Sequence, residues 1–410
     1  MKKLFQINTV CNSGSTGRIA ENIARTAAKH GWDNYVAFGR DSQKSQAAKM
    51  YQVGSQFSFY LNVLKARFFD NDGFLNSCNT GKLVEYIDTV NPSVIHIHNL
   101  HGYYMDMRIL FDYIKNKGIP TVITLHDCWL FTGHCSYFTF NGCPKWKSLC
   151  GKCPQKKGYP KSILFDSSSN NFIEKKSLFK DFNNLVLVPV SDWLSGLLAD
   201  SFLDGKKKVV IKNGIDLEVF KPTSPDEIFY KKYQIPDKFK ILGVASVWGK
   251  RKGFQDFIEL SKKLSQDEII VLVGVSKNQS TYIKENFKNI IPIERTENAA
   301  DLAKLYSISD VFFNPTYEDN YPTTNLEAQS CGIPIVVYKT GGACESLDTE
   351  YGVKINQGDI QTALDAIRRV KKLDKEKMQK KLVLKSRKEF DADICFDKYM
   401  RLYEEITFGK

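Results

Sequence analysis

The sequence predicts an α/β fold class: two Rossmann-like, doubly wound parallel-sheet domains facing a cleft, followed by C-terminal helices. Three observations predict it. At 410 residues the chain is longer than one ordinary hydrophobic core supports, so two domains are expected. Short β-rich runs, several of them apolar on both faces, alternate with helical stretches, as buried parallel strands joined by crossovers do. Finally, a turn- and proline-rich stretch, KNGIDLEVFKPTSPDE (212–227), interrupts the alternation midway.

The elements follow in order. LFQINTV (4–10) reads as the first strand, and SGSTGRIAENIA (13–24) as a glycine-bearing turn, with Gly14 and Gly17, opening a helix near 17–30. An ordinary βα turn has the same composition. Strands are expected at NYVAFG, SVIHIHN, TVITLH and NLVLVPVS, then, after the seam, at KILGVAS, EIIVLVG, NIIPIER, DVFFNPT and PIVVYKT. Beyond about 355 the sequence is helix-forming. The expected domains are 1–212, a linker at 213–225, a second domain at 226–385, and a terminal helix at 386–410 packing back on the first.

Composition narrows the class. Hydrophobic content of 42% and charged content of 25% are those of a globular protein. No apolar run approaches a membrane span. The opening MKKLFQINTVCNSG reads as a strand and not a signal peptide, so a cytoplasmic setting with reduced cysteines is expected. The net charge is +12, and residues 1–220 hold 27 Lys and Arg against 18 Asp and Glu. From Cys143 to Lys161 there are six lysines and no acid. That patch suits phosphates, nucleic acid or an anionic membrane surface; a solvated face reads the same way.

Polar residues at strand ends are the candidate site, because ligands of open α/β sheets bind beyond the carboxyl ends of the strands. In the first half these are His98, Asn99 and His101, then His126 and Asp127. In the second half a helix is expected to open near Thr323, with Thr324 and Asn325 in its first turn; its N–H groups suit a phosphate. Glu318, Asp319 and Glu327 flank that turn, and carboxylates accept sugar hydroxyls well. Lys250, Arg251 and Lys252 sit in a glycine-punctuated loop before another helix, placed to neutralise a diphosphate.

The stretch 126–160 holds Cys135, Cys143, Cys150 and Cys153 in a C-x7-C-x6-C-x2-C pattern. Four thiolates at such spacing predict a structural zinc that staples an irregular loop. Reduced buried thiols and disulfides are the other readings. Cys128, next to a strand end, is expected to be buried.

The ordered set of motifs resembles family-4 retaining glycosyltransferases of GT-B fold. SDWLSGLLADSFLDGKKKVVIKNGIDLEVFKP looks like their domain-joining segment, and the RKG loop and EDNYPTTNLEAQSCGIPIVV follow in family order. The resemblance covers essentially the whole chain. It implies an acidic pair spaced E-x7-E, which falls on Asp319 and Glu327, with Glu318 one residue off; the second carboxylate holds the nucleotide ribose and the first meets the donor sugar. Lys252 matches the family's phosphate-binding lysine, and Val247 stands where the family has arginine, so Arg251 is the substitute. The Gly14–Gly17 turn corresponds to the family's glycine loop near the donor phosphates, and His126 to a histidine contacting donor sugar or acceptor. No catalytic metal is implied. The co-substrate is a nucleoside-diphosphate sugar, and the acceptor a glycan or a polyprenyl-diphosphate-linked glycan, with peripheral contact to an anionic membrane and no nucleic acid. Two alternatives stand beside it: a nucleotide-sugar 2-epimerase of the same fold, and a zinc-stabilised nucleic-acid-binding protein.

Overall fold

The computed structural model describes residues 2–40 and 42–409. The chain forms two compact units: one from the residues up to Lys212 together with Cys395 onward, the other from Asn213–Ile394.

The first unit is built on a six-stranded sheet in the order β3-β2-β1-β4-β5-β6. Its strands are β1 (Lys3–Asn8), β2 (Asp33–Phe38), β3 (Lys49–Gln52), β4 (Val94–Ile97), β5 (Thr121–Leu125) and β6 (Leu185–Pro189). All pairings are parallel. The strands β4, β5 and β6 are buried at every position, which is why they read as mostly apolar runs. The strand order reverses between β1 and β4, so the loops after these strands diverge and leave a crevice at their carboxyl ends. The loop after β1 leads into the helix Gly14–Lys29, and the loop after β4 carries His98 to His101.

The second unit repeats the plan in the order β12-β11-β10-β7-β8-β9. Its strands are β7 (Phe239–Val244), β8 (Glu268–Val273), β9 (Ile290–Ile293), β10 (Val311–Asn314), β11 (Ile335–Tyr338) and β12 (Val353–Ile355). Here the reversal lies between β7 and β10, so the switch point is formed by the loops 245–253 and 315–322. Phe257, Ile270, Leu272, Phe313, Val336 and Tyr338 centre its core.

The helix Ala392–Phe408 returns to the first unit and buries Phe396, Tyr399, Met400 and Tyr403. The Tyr403 hydroxyl bonds His96 Nδ1 at 2.6 Å, and Tyr399 bonds Thr124 at 2.9 Å. His96 and Thr124 are fully buried and bond each other at 2.7 Å, so without this helix His96 Nδ1 would lose its partner and Thr124 one of its two. Two edge strands, β3 and β12, were not expected. They are four and three residues long with exposed positions, too short for an alternation to show. Among the described residues no helix is long and apolar enough to cross a membrane.

Candidate functional site

At the switch point of the second unit, the basic loop docks directly on the acidic turn. The Tyr317 N–H donates to Arg251 O at 2.8 Å, and Arg251 Nη1 donates to Glu318 O at 2.8 Å. Lys252 and Asp319 form an ion pair. Burial alone would raise the Asp319 carboxyl, but the charges of Lys252 and Arg251 outweigh it and hold it below the usual range. Gly253 makes the docking possible. Its φ is +74°, and a Cβ there would lie 2.3 Å from Pro315 O. Beneath the turn, Asp256 accepts from the hydroxyls of Tyr317 (2.9 Å) and Tyr338 (2.8 Å). Burial raises its carboxyl despite those bonds. Nothing local in the sequence marks Asp256, because its partners lie 61 and 82 residues away.

The helix Thr323–Ser330 starts here, with no side chain capping its first N–H groups. Thr323 and Thr324 are half-buried in its first turn. Asn325 is fully buried, and its amide donates to Ala343 O at 2.8 Å while Asn314 donates to its carbonyl at 2.8 Å. That side chain is committed to the fold, and the Asn325 N–H donates to Pro322 O at 3.1 Å, so Asn325 shapes the turn. Glu327 is 7% exposed, and the Tyr306 hydroxyl donates to Glu327 Oε2 at 3.0 Å. Burial, then the Glu327 charge, pushes the Tyr306 phenol well above its usual value, so it stays a donor and fixes the carboxylate. Glu318 is 1% exposed against 9% for Asp319. Asp319 is therefore the acid of the pair that stands by the cation. Val247, where the resemblance calls for arginine, is 75% exposed.

In the first unit a chain of side chains runs from the core to His126. Gln6 Nε2 donates to Ala20 O at 3.0 Å, which turns Gln6 Oε1 toward His98 Nε2 at 2.9 Å. His98 Nδ1 lies 3.1 Å from His126 Nε2. Burial holds both rings below their usual values, His126 down to about 4 with His101 adding to it against the opposing charge of Asp127, and His98 well below. Both are therefore neutral near pH 7. Gln6 Oε1 accepts only, so His98 carries its proton on Nε2, and its Nδ1 accepts from His126 Nε2–H. The remaining His126 nitrogen, Nδ1, is then an acceptor. His98 is 4% exposed and lines a small cavity together with His101, His126 and Asp127, where it supports His126.

His101 Nε2 bonds Asp127 Oδ2 at 2.9 Å, and its Nδ1 bonds the Tyr159 hydroxyl at 3.1 Å. Asp127 is held below the usual range by His101 and the Trp129 N–H, although burial opposes this. Asn99 serves through its carbonyl, which accepts from Tyr104 at 2.6 Å. Gly14 has φ +61° with open space around it. Gly17 is tighter, since a Cβ would lie 3.2 Å from Asn12 N.

The cysteine-rich stretch differs from expectation. Cys135, Cys143, Cys150 and Cys153 do line one cavity of about 10 Å³, and Gly133 N–H points at Cys150 Sγ at 3.3 Å. Yet among the described residues no group of three or more His, Cys, Asp or Glu side chains is placed to hold a metal ion. The structure therefore gives the tetrahedral zinc site predicted from spacing no support. The loop has another staple. Phe131, Phe138 and Trp146 pack with ring centroids 4.7–6.2 Å apart. The buried Lys175 ammonium donates to Trp129 O (2.8 Å) and Thr132 O (3.0 Å) and stands over the Trp129 ring. Asp70 pairs with His134. Cys128 is fully buried.

Comparison with known proteins completes the assignment. The family model described as Glycosyltransferase Family 4 matches residues 16–219, and that described as Glycosyl transferases group 1 matches 225–389. The putative colanic acid biosynthesis glycosyl transferase WcaC of Escherichia coli K12 is 24% identical over 378 residues, 87% of this chain and 88% of that protein. An N,N'-diacetylbacillosaminyl-diphospho-undecaprenol alpha-1,3-N-acetylgalactosaminyltransferase of Campylobacter jejuni is 27% identical over 217 residues, covering 50% of this chain and 56% of that one. Among solved structures, a sucrose-phosphate synthase of Thermosynechococcus elongatus superposes with TM-score 0.72 at 14% identity, covering all of both chains. Anabaena HepE in complex with UDP-glucose superposes with TM-score 0.68 at 16% identity, covering 99% of this chain and all of that one. Motif order, two doubly wound sheets and both family matches agree: the chain belongs to the family-4 glycosyltransferases of GT-B fold and is a hexosyltransferase.

Proposed function

We propose that the enzyme moves a hexose-type sugar, with retention at the anomeric carbon, from a nucleoside-diphosphate sugar to a hydroxyl of a lipid-diphosphate-linked glycan in surface-polysaccharide synthesis. The observation that carries the donor half is the Lys252–Asp319 pair beside the opening of the helix that bears Glu327. Glu327, aligned by Tyr306, accepts from the ribose hydroxyls. Arg251 and Lys252 meet the diphosphate together with the N–H groups of Thr323 and Thr324, and Asp319 accepts from the sugar. In transfer, the bond from the anomeric carbon to the diphosphate oxygen breaks and a bond to the acceptor oxygen forms. The acceptor proton passes to the departing diphosphate, whose growing charge Lys252 stabilises. On the first unit, His126, Asp127 and His101 stand on the acceptor side.

The acceptor class rests on relatives whose names specify colanic acid biosynthesis and undecaprenol-diphosphate-linked sugars, and a UDP-sugar donor is supported by the complexes of a structural neighbour. Neither a 2-epimerase nor a nucleic-acid-binding reading gains support from these relatives. The test is a thermal-shift screen against UDP-, GDP-, ADP- and dTDP-sugars, followed by transfer to a polyprenyl-diphosphate-linked sugar and assignment of the product anomer. One donor class should raise the melting temperature, by the equivalent of about 2.7 kcal/mol at roughly 100 times its Kd. A product of inverted configuration, or no transfer to any glycan acceptor, overturns the proposal.

A further inference from the structure

The first unit carries an exposed apolar ridge that the transfer chemistry does not use. The helix Gln56–Phe69 is closed at its start by a reciprocal Ser55–Ser58 capping box and ended by Asp70 in a left-handed conformation. Only Asn62 and Ala66 of this helix are buried, while Phe59 and Val63 pack inward against Ala66, Leu75 and Tyr103. Phe57, Tyr60, Leu61, Leu64 and Phe68 point the other way. Their spacing places them on one stripe, and Phe57 is 74% and Tyr60 60% exposed.

The ridge continues onto a second segment. Ile163 N–H donates to Arg67 O at 2.7 Å and Phe165 N–H to Phe68 O at 3.0 Å. Phe165 stacks on Phe69 with centroids 5.8 Å apart. Ile163, Leu164 and Phe165 are each more than half exposed. This adds a second row of large side chains beside the helix, fixed by backbone bonds. Monomeric surfaces seldom leave so large a contiguous apolar patch to water.

Charge identifies the partner. Lys65 and Arg67 flank the stripe on the helix, and Lys152, Lys157 and Lys161 are exposed on the segment leading to Ile163. Neither 56–69 nor 143–165 contains an acid. The adjoining Asp166 is engaged by the Cys153 N–H and by Ser168. An apolar stripe with aromatic residues, bordered by Lys and Arg alone, matches the interface of a bilayer whose headgroups are anionic. The ridge is also tied to the candidate acceptor side. Asp72, two residues past the helix cap, accepts from Gly102 N–H (2.9 Å) and Tyr103 N–H (2.8 Å), next to His101.

We propose that the helix Gln56–Phe69 and the segment Ile163–Phe165 form a docking surface for an anionic phospholipid bilayer, seating the first unit on the membrane. The surface is independent of the transfer reaction, so its test needs neither donor nor acceptor. The full chain is sedimented with phosphatidylcholine vesicles, with and without phosphatidylglycerol. Binding is expected only with phosphatidylglycerol and should weaken as NaCl rises. The pair Leu61→Asp and Leu64→Asp should lower partitioning by about tenfold or more, and Lys157→Glu with Lys161→Glu by about tenfold. Circular dichroism and melting temperature of these exposed-site variants should match the parent. Equal sedimentation of parent and Leu61→Asp/Leu64→Asp overturns the proposal. So does a failure of the parent to bind, or a vesicle-free dimer that Leu64→Asp disperses, which would make a second copy the occupant.

Discussion

At the scale of single residues, the donor side divides binding from turnover. Glu327 is nearly buried and aligned by Tyr306, so its charge is pre-set for ribose hydroxyls. Glu327→Ala should weaken nucleotide binding by roughly 1.5–3 kcal/mol, measured by calorimetry; unchanged affinity would displace the ribose from this position. Lys252 faces Asp319 before any donor arrives, and its largest gain comes when the leaving diphosphate develops charge. Lys252→Ala should therefore lower kcat on the order of 100-fold with a smaller change in nucleotide affinity, and wild-type turnover would remove the role. On the other unit, Gln6 fixes the proton of His98, which fixes that of His126. Gln6→Met leaves His98 Nε2–H without an acceptor, at about 1–3 kcal/mol of stability. Turnover should fall while nucleotide affinity holds. If both fall together, the change acts through folding and not through the tautomer of His126. The spacing of Asp319 and Glu327, with Lys252 upstream, was legible because these residues lie in short continuous motifs. Gln6, Tyr306 and Asp256 were not, because each acquires its partner only when distant segments are brought together.

At the scale of elements, the cysteine-rich loop shows how little spacing alone settles. Four cysteines in a knuckle-like pattern read as zinc ligands, but a pattern does not record side-chain directions. The sequence equally held Phe131, Phe138, Trp146 and Lys175, and these make the staple. Lys175 reads in sequence as one more surface lysine on a helix; in the fold it is 1% exposed, and burial lowers its ammonium to about 7. Two carbonyls and the Trp129 ring hold it. Lys175→Met fits the volume but takes the ammonium from Thr132 O and leaves Trp129 O only its longer bonds from Thr132, so urea melts should show a loss of roughly 1–3 kcal/mol. Chelator treatment of the parent should leave the melting temperature unchanged. A chelator-dependent drop would mean that the thiols do gather round a metal and that the aromatic staple is secondary.

At the scale of the whole molecule, the chain leaves the first sheet, builds the second, and returns. The two-domain pattern was legible because β4–β6 and β7–β8 are buried runs bounded by turns. The edge strands β3 and β12 were not, since their exposed positions carry no periodic signal. The return helix makes the stability of the first unit depend on the last residues of the chain. Phe396, Tyr399, Met400, Leu402 and Tyr403 are all nearly fully buried, and each such side chain is worth about 1.5–3 kcal/mol. Together they match the 5–15 kcal/mol by which a typical domain is stable. Their removal also strips His96 Nδ1 and Thr124 of buried partners. A chain ending at Ile394 should therefore lose the cooperative unfolding transition of the first unit, while the second, Asn213–Ile394, keeps its own transition and its affinity for the nucleoside diphosphate. Tyr403→Phe is the gentler form of the same test. It deletes one hydroxyl, retains the packing, and should cost about 1–3 kcal/mol in the first transition alone. If the truncated chain unfolds with the parent's first transition intact, the helix decorates the first unit without supporting it. If both transitions vanish together, the two units do not fold separately, and nucleotide binding should disappear with them.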